Sequence, residues 1–197
     1  FRRVLFRSQA AVVLRINAPG TDACSDDLAW LAGLAAQGLP AGLMVPKAES
    51  AAGLAGVVAA LPGVPLLPLV ESAAGHAALA EIAAAPGVLR LVLGHIDFMA
   101  DTGLQCGDDE AELAPLRFAI AMATRLARLA PAVDGVTVRF DDDARLRTDT
   151  ARALRFGFGA KLCIHPRQVA EVHAALAPSA EQLDWARSVV EADAAAG

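Results

Sequence analysis

The chain lacks any unbroken apolar stretch approaching the roughly 20 residues that a membrane-spanning helix needs, so no membrane partner is expected. It also lacks a basic excess. Seventeen Lys and Arg stand against 22 Asp and Glu, a net charge of −5 with a pI near 5.3. Nucleic acid as a main partner would require the opposite balance. Cysteine is scarce: Cys24, Cys106 and Cys163 are odd in number and widely spaced. They form neither a disulfide framework nor a CxxC pair, which predicts a reducing, cytoplasmic setting. No GxSxG nucleophile turn is present, and no second histidine sits at metal-ligand spacing, so acyl-enzyme and zinc chemistry are both disfavoured. Cys163 lies inside an apolar run and is expected to be a small core residue.

What the chain does contain is a set of short apolar runs, each ending in a charged or metal-competent residue. They are Val12-Val13-Leu14-Arg15, Leu43-Met44-Val45-Pro46-Lys47, Leu66-Leu67-Pro68-Leu69-Val70-Glu71, Leu91-Val92-Leu93-Gly94-His95-Ile96-Asp97 and Lys161-Leu162-Cys163-Ile164-His165. Such runs, each followed by a helical pattern, predict parallel strands buried on both faces. Strands are expected near 11–17, 41–46, 65–71, 88–94, 133–140 and 161–165. Helices are expected near 25–37, 49–61, from 72 to before Pro86, 110–130, after Asp141-Asp142-Asp143, after Pro166 and over 179–195. Asp22, Ser25 and Asp26 are capping candidates for the first, and Ser179 for the last.

Strict alternation of strand and helix means a parallel α/β fold, either an open doubly wound sheet or part of a (β/α)8 barrel. Asn17-Ala18-Pro19-Gly20-Thr21 is not the glycine-rich phosphate turn of a dinucleotide-binding sheet. Polar residues on nearly every strand end favour the barrel, whose ligands sit at the carboxyl ends of its strands. Residues 1–8 (Phe1 to Ser8) are set apart as a non-native N-terminus, because 3–8 back-translate into a common sequencing adapter. Residues 9–197 are taken as one domain.

Glu71 and Asp97, at neighbouring strand ends, can hold a magnesium-type cation, which takes oxygen ligands and keeps several waters. Each can equally be a capping or ion-pairing acid. Arg15 suits bidentate capture of a carboxylate or stabilisation of an enolate oxygen, or a structural pair with either acid. Lys47 can serve similarly or be solvated. His165, before Pro166, either binds a ligand or orders its turn. His95 flanks the same region, His76 and His173 fall on helices, and the triplet Asp141-Asp142-Asp143 reads as a helix start.

Arg15-Ile16-Asn17, Pro46-Lys47-Ala48-Glu49-Ser50, Val70-Glu71-Ser72 and Gly94-His95-Ile96-Asp97-Phe98 occur in this order. They are followed by Gly157-Phe158-Gly159-Ala160-Lys161-Leu162-Cys163-Ile164-His165-Pro166-Arg167-Gln168. The set resembles the HpcH/HpaI aldolase and citrate lyase β-subunit family, in particular its citryl-CoA and malyl-CoA lyase-like branch. The resemblance implies a (β/α)8 TIM barrel, Mg²⁺ (with Mn²⁺ as a substitute) on Glu71 and Asp97, and Arg15 as the catalytic and substrate-gripping cation. Lys47 and His165 are its substrate-binding neighbours. It implies Claisen-type cleavage of a 3-hydroxyacyl-CoA, such as citryl-CoA or malyl-CoA, to an acyl-CoA and an oxo acid. It also implies a cytoplasmic homo-oligomer, a trimer or hexamer.

Two departures from the family pattern stand out. The family barrel opens with two further strand-helix units, and it continues into a lid segment that in several members supplies an Asp to a neighbouring subunit. The chain is therefore expected to be a partial barrel with little activity alone. Arg139 stands where relatives more often carry an acid. The alternatives are a malyl-CoA thioesterase-like hydrolase and a non-catalytic metal- or CoA-binding fragment or accessory subunit.

Overall fold

The computed structural model describes residues 11–35 and 40–196; residues 1–8, and the end of the first predicted helix at 36–37, lie outside them. Six parallel strands pair in chain order: β1 (Val13–Arg15), β2 (Gly42–Val45), β3 (Leu66–Val70), β4 (Val92–Leu93), β5 (Val133–Asp134) and β6 (Ala160–Lys161). A doubly wound sheet reverses its strand order at a switch point. Here every crossover steps the same way, and the sheet curls into a half-barrel of the (β/α) type.

Nine helices follow among the described residues. They are α1 (Asp22–Ala35), α2 (Ala51–Ala60), α3 (Ala73–Ala77), α4 (Leu79–Ala84), α5 (His95–Thr102), α6 (Ala114–Leu126), α7 (Asp143–Arg155), α8 (Arg167–Leu176) and α9 (Ala180–Ala196). Side-chain caps start several of them. Ser50 and Ser72 each accept a 3.1 Å bond, from Gly53 N and Gly75 N, and Asp142 accepts one from Arg145 N at 2.9 Å. Ser179 caps α9 as expected, through Gln182 N at 3.1 Å. On α1 the cap is Thr21, which accepts from Cys24 N, and not Asp22, Ser25 or Asp26. Those three lie inside the helix, where Asp22 instead faces the positive end of the helix dipole. None of the described helices is long and apolar enough to cross a membrane.

The strand residues alternate between two cores, as a period of 2 requires. Leu43, Val45, Leu66, Val70, Leu91 and Leu93 pack outward against helices with Leu54, Val57, Ile82, Leu116 and Ile120. Leu67, Leu69, Val92 and Val133 form a smaller inner cluster with Met44 and Leu162. The strands are therefore buried on both faces, and side chains one step past the inner positions emerge at the barrel mouth.

Every predicted strand is longer than the one observed. The fourth, expected over 88–94, pairs in the ladder only at Val92–Leu93, with an isolated bridge between Val88 and Leu66, and at Gly94 the chain turns into α5, which buries His95 and Phe98 at a helical spacing of three. The run from 133 to 140 stops at Asp134, and its Val138 and Phe140 are exposed. In the run at 161–165 the last sheet bond is Leu162 N to Asp134 O at 2.9 Å, after which the Gln168 side chain accepts from Ile164 N at 2.9 Å and His165 N at 3.3 Å. Cys163 consequently sits half-buried past the strand and is not a core residue.

β5 and β6 are locked by charge. Asp134, fully buried, accepts from Arg117 Nε at 3.0 Å and from Lys161 Nζ at 3.3 Å, while Lys161 Nζ also donates to Gly135 O at 2.7 Å. Burial alone would raise the Asp134 pKa, but Lys161 and Arg117 outweigh it and hold the carboxyl below the usual aspartate range. A carboxyl with a depressed folded-state pKa stabilises the fold above its unfolded pKa and loses that contribution as pH falls through the folded value. Asp134→Asn is expected to cost about 3–5 kcal/mol at pH 7, the toll of leaving buried cations unpaired. Urea unfolding across pH checks this: the gap from wild type should hold down to about pH 4 and close below it.

Candidate functional site

Arg15, Asn17 and Glu71 follow the inward parity of their strands and reach the carboxyl-end mouth. Asn17 is tethered there: its N–H and Nδ2 both donate to Asp27 Oδ2 at 2.8 Å. Arg15 is exposed and makes no hydrogen bond or ion pair among the described residues. It lines a cavity of about 360 Å³ with Asn17, Lys47, Glu71 and Asp97, and a contiguous one of about 120 Å³ with Glu71, His95 and Asp97. Four of the five residues singled out from sequence therefore converge on one opening.

Glu71 is only 1 % exposed, and two backbone features make room for it. Lys47 adopts a left-handed φ of +48°, uncommon for a residue with a side chain, and its N–H donates to Glu71 Oε1 at 2.8 Å. Such backbone strain costs on the order of 1–3 kcal/mol and concentrates at functional sites. On the other side, a Cβ on Gly94 would stand 2.6 Å from Glu71 Cβ and 2.9 Å from Oε2, so only glycine fits. The Glu71 carboxyl faces that of Asp97, an exposed residue in the first turn of α5. Burial pushes the Glu71 pKa up; the Lys47 N–H opposes the rise, and the Asp97 carboxylate adds to it.

Two convergent carboxylates with little to neutralise them are a donor set for a hard cation. Among the described residues no group of three or more His, Cys, Asp or Glu is placed to hold a metal. That suits an ion which takes one or two protein carboxylates and fills its shell with water and substrate, the habit of Mg²⁺, and does not suit a structural zinc site.

His165 stands apart from this opening. Its ring stacks on Phe140 with centroids 5.0 Å apart, and its Nδ1 accepts from Arg167 N at 3.2 Å, ordering the start of α8. His76 and His173 are exposed on helices, and Arg139 is an exposed partner of Asp142 at 3.8 Å. A group that sequence reasoning missed lies beside the site. Glu110 accepts from Arg117 at 2.6 Å and Arg152 at 2.8 Å, with Arg145 at 3.5 Å, and Asp149 pairs with Arg145 and Arg152. The signal that could have found it is Asp134, an acid interrupting an apolar run, which demands a buried cation.

The sequence model of the HpcH/HpaI aldolase/citrate lyase family matches residues 2–166. The chain belongs to this family. Among HpcH/HpaI relatives, it is 30 % identical over 180 residues to a (3S)-malyl-CoA thioesterase of Cereibacter sphaeroides, covering 91 % of this chain and 61 % of that protein. It is 37 % identical over 186 residues to a citrate lyase subunit beta-like protein of Mycobacterium tuberculosis, covering 91 % and 64 %. The chain thus spans under two thirds of the length of these curated relatives. The structure of Mycobacterium tuberculosis CitE in complex with magnesium, acetoacetate and coenzyme A superposes with a TM-score of 0.77 at 34 % identity, covering 93 % of this chain and 67 % of that one.

The raised Glu71 pKa gives a stability test. A carboxyl raised in the folded state contributes stability below its unfolded pKa and loses it as pH rises through the folded value. Metal-free Glu71→Gln, which keeps an oxygen acceptor for Lys47 N–H, should therefore melt higher than wild type at pH 8. The advantage should vanish near the ordinary glutamate pKa of 4.5. Thermal unfolding in a chelator at the two pH values measures it.

Proposed function

We propose that this chain carries the catalytic mouth of a Mg²⁺-dependent carbon–carbon lyase acting on a 3-hydroxyacyl-CoA. The observation that carries the reading is the convergence of Glu71 and Asp97 with an unpaired Arg15 in one strand-end cavity. Family membership and the CitE complex with magnesium and coenzyme A support it. In this reading Glu71 and Asp97 hold Mg²⁺, or Mn²⁺ in its place. A bound Mg²⁺ supplies positive charge where negative charge gathers on oxygen.

The chain's own residues account for the rest. Arg15 grips the carboxylate of the oxo-acid half with a planar fork of donors and sets its orientation. Lys47 adds positive charge at the same opening while its N–H keeps the Glu71 carboxylate aimed. In the cleavage direction the hydroxyl proton leaves, the bond between C2 and C3 breaks, and its electron pair passes into the thioester enolate. Protonation of that enolate at carbon gives the acyl-CoA, and the former hydroxyl carbon becomes the carbonyl of the oxo acid. His165 lies outside the cavity and has no part in these steps. The half-barrel is read as six of eight units of a TIM barrel whose other units and lid complete the site. In the whole protein, a cytoplasmic homo-oligomer is proposed.

A second reading keeps the site and ends in hydrolysis of the thioester, favoured by the similarity to the malyl-CoA thioesterase. Product analysis of the complete protein with malyl-CoA and citryl-CoA separates them: lyase chemistry yields an oxo acid and an acyl-CoA, whereas hydrolysis leaves the carbon skeleton intact. Glu71→Ala and Asp97→Ala are expected to abolish Mg²⁺ dependence. Arg15→Met should lower kcat/KM by about 10²–10³, the usual loss of a charge-stabilising donor. Unchanged activity and metal affinity in the two carboxylate variants would sink both readings.

A further inference from the structure

We infer that Gly135 and His95, braced by Lys161, form a spacer that positions the Asp97 carboxylate for cation binding. This rests on the metal reading above and names positioning residues that act on its ligands without holding the ion. The geometry is continuous. Lys161 Nζ donates to Gly135 O at 2.7 Å while also holding Asp134, which fixes the backbone just past β5. The His95 ring is packed directly against that backbone: a Cβ on Gly135 would fall 2.0 Å from His95 Nδ1 and 2.7 Å from Cε1. His95 is the first residue of α5, and Asp97 lies in the same first turn.

The other side of that turn is pinned as well. Gly94 N donates to Val70 O at 2.9 Å, next to Glu71, and Phe98 N closes the turn on Gly94 O at 3.0 Å. The turn bearing Asp97 is thus held between two strand ends, β3 through Gly94 and β5 through the His95 ring. The ring does little else. It is 2 % exposed, its Nδ1 has no hydrogen-bond partner, and its Nε2 stays 4.0 Å from Glu110 Oε1. A buried polar ring with an orphan nitrogen is costly unless its volume and place are what the site uses. His95 also lines both the small cavity beside Glu71 and a larger one of about 570 Å³, so it is the partition that the α5 turn leans on.

The test is a double-variant cycle on the complete protein, read by Mn²⁺ affinity from electron paramagnetic resonance and by melting in a chelator. Gly135→Ala drives a methyl into the ring and should weaken Mn²⁺ binding about 10- to 100-fold, the range for groups that orient metal ligands. His95→Ala removes the ring and should by itself weaken Mn²⁺ binding by a similar factor; because both changes act on one contact, the double variant should be no weaker than the worse single one. Equal affinity in wild type and either single variant overturns the inference, and so do losses that simply multiply in the double variant. A mere structural role would lower the chelated melting temperature without moving Mn²⁺ affinity, which also overturns it. Wild-type protein with no Mn²⁺ affinity overturns the metal reading itself and this inference with it. Should Gly135→Ala not fold, Lys161→Met takes its place: weaker Mn²⁺ binding regained in Lys161→Arg supports the brace, and unchanged binding overturns it.

Discussion

A carboxylate buried at Glu71 and turned towards a second one at Asp97 is the constraint around which the rest of this structure is arranged. Neither burial nor like-charge proximity favours an ionised pair. The fold nonetheless enforces both, through the left-handed backbone at Lys47 that aims an N–H at Oε1 and through Gly94, where any side chain would collide with Glu71. A protein that tolerates unfavourable electrostatics at one place, with two backbone devices to keep it there, is arranged for a ligand that reverses the cost. A divalent cation is the ligand with that property.

The parallel half-barrel explains why such a pair arises between neighbouring units. Strands in chain order bring consecutive strand ends side by side, so Glu71 after β3 meets Asp97 after β4 without any long connection. The outward faces anchor this mouth to the helices, by apolar packing over most of the sheet and by the Asp134–Arg117–Lys161 group at β5 and β6. A buried ion group is weak evidence for stability against a hydrophobic alternative. Its value here is geometric, since it fixes where the backbone past β5 ends and therefore where the His95 ring and the turn bearing Asp97 rest.

Much of this was legible in the chain before its structure, and the limits are physical. Continuous apolar runs with polar ends identified the strands and brought Arg15, Lys47, Glu71 and Asp97 forward, because a strand buried on both faces can place a charge only where it leaves the sheet. The same logic overextends the strands, most plainly over 133–140, where Val138 and Phe140 continue the apolar run yet lie exposed past Asp134. The turn into α5 at His95 goes unread because apolar period alone does not reveal a helix start over so few residues. Cys163 is expected in the core on the same ground, yet the last sheet donor is Leu162 N, and Gln168 captures the Ile164 and His165 N–H groups beyond it. His165, adjacent in motif to the site, stacks on Phe140 instead of entering the opening. The Glu110 and Arg117 group joins residues far apart in sequence, and only the fold reveals that they meet.

The most direct measurement is a crystal structure of the complete protein soaked in Mn²⁺, with data collected at the manganese absorption edge. One anomalous peak in the cavity lined by the Glu71 and Asp97 carboxylates, with Arg15 open to the same cavity, is the expected result. A peak elsewhere, or none at millimolar Mn²⁺ with both carboxylates unliganded, would contradict the assignment of this mouth as a divalent-cation centre.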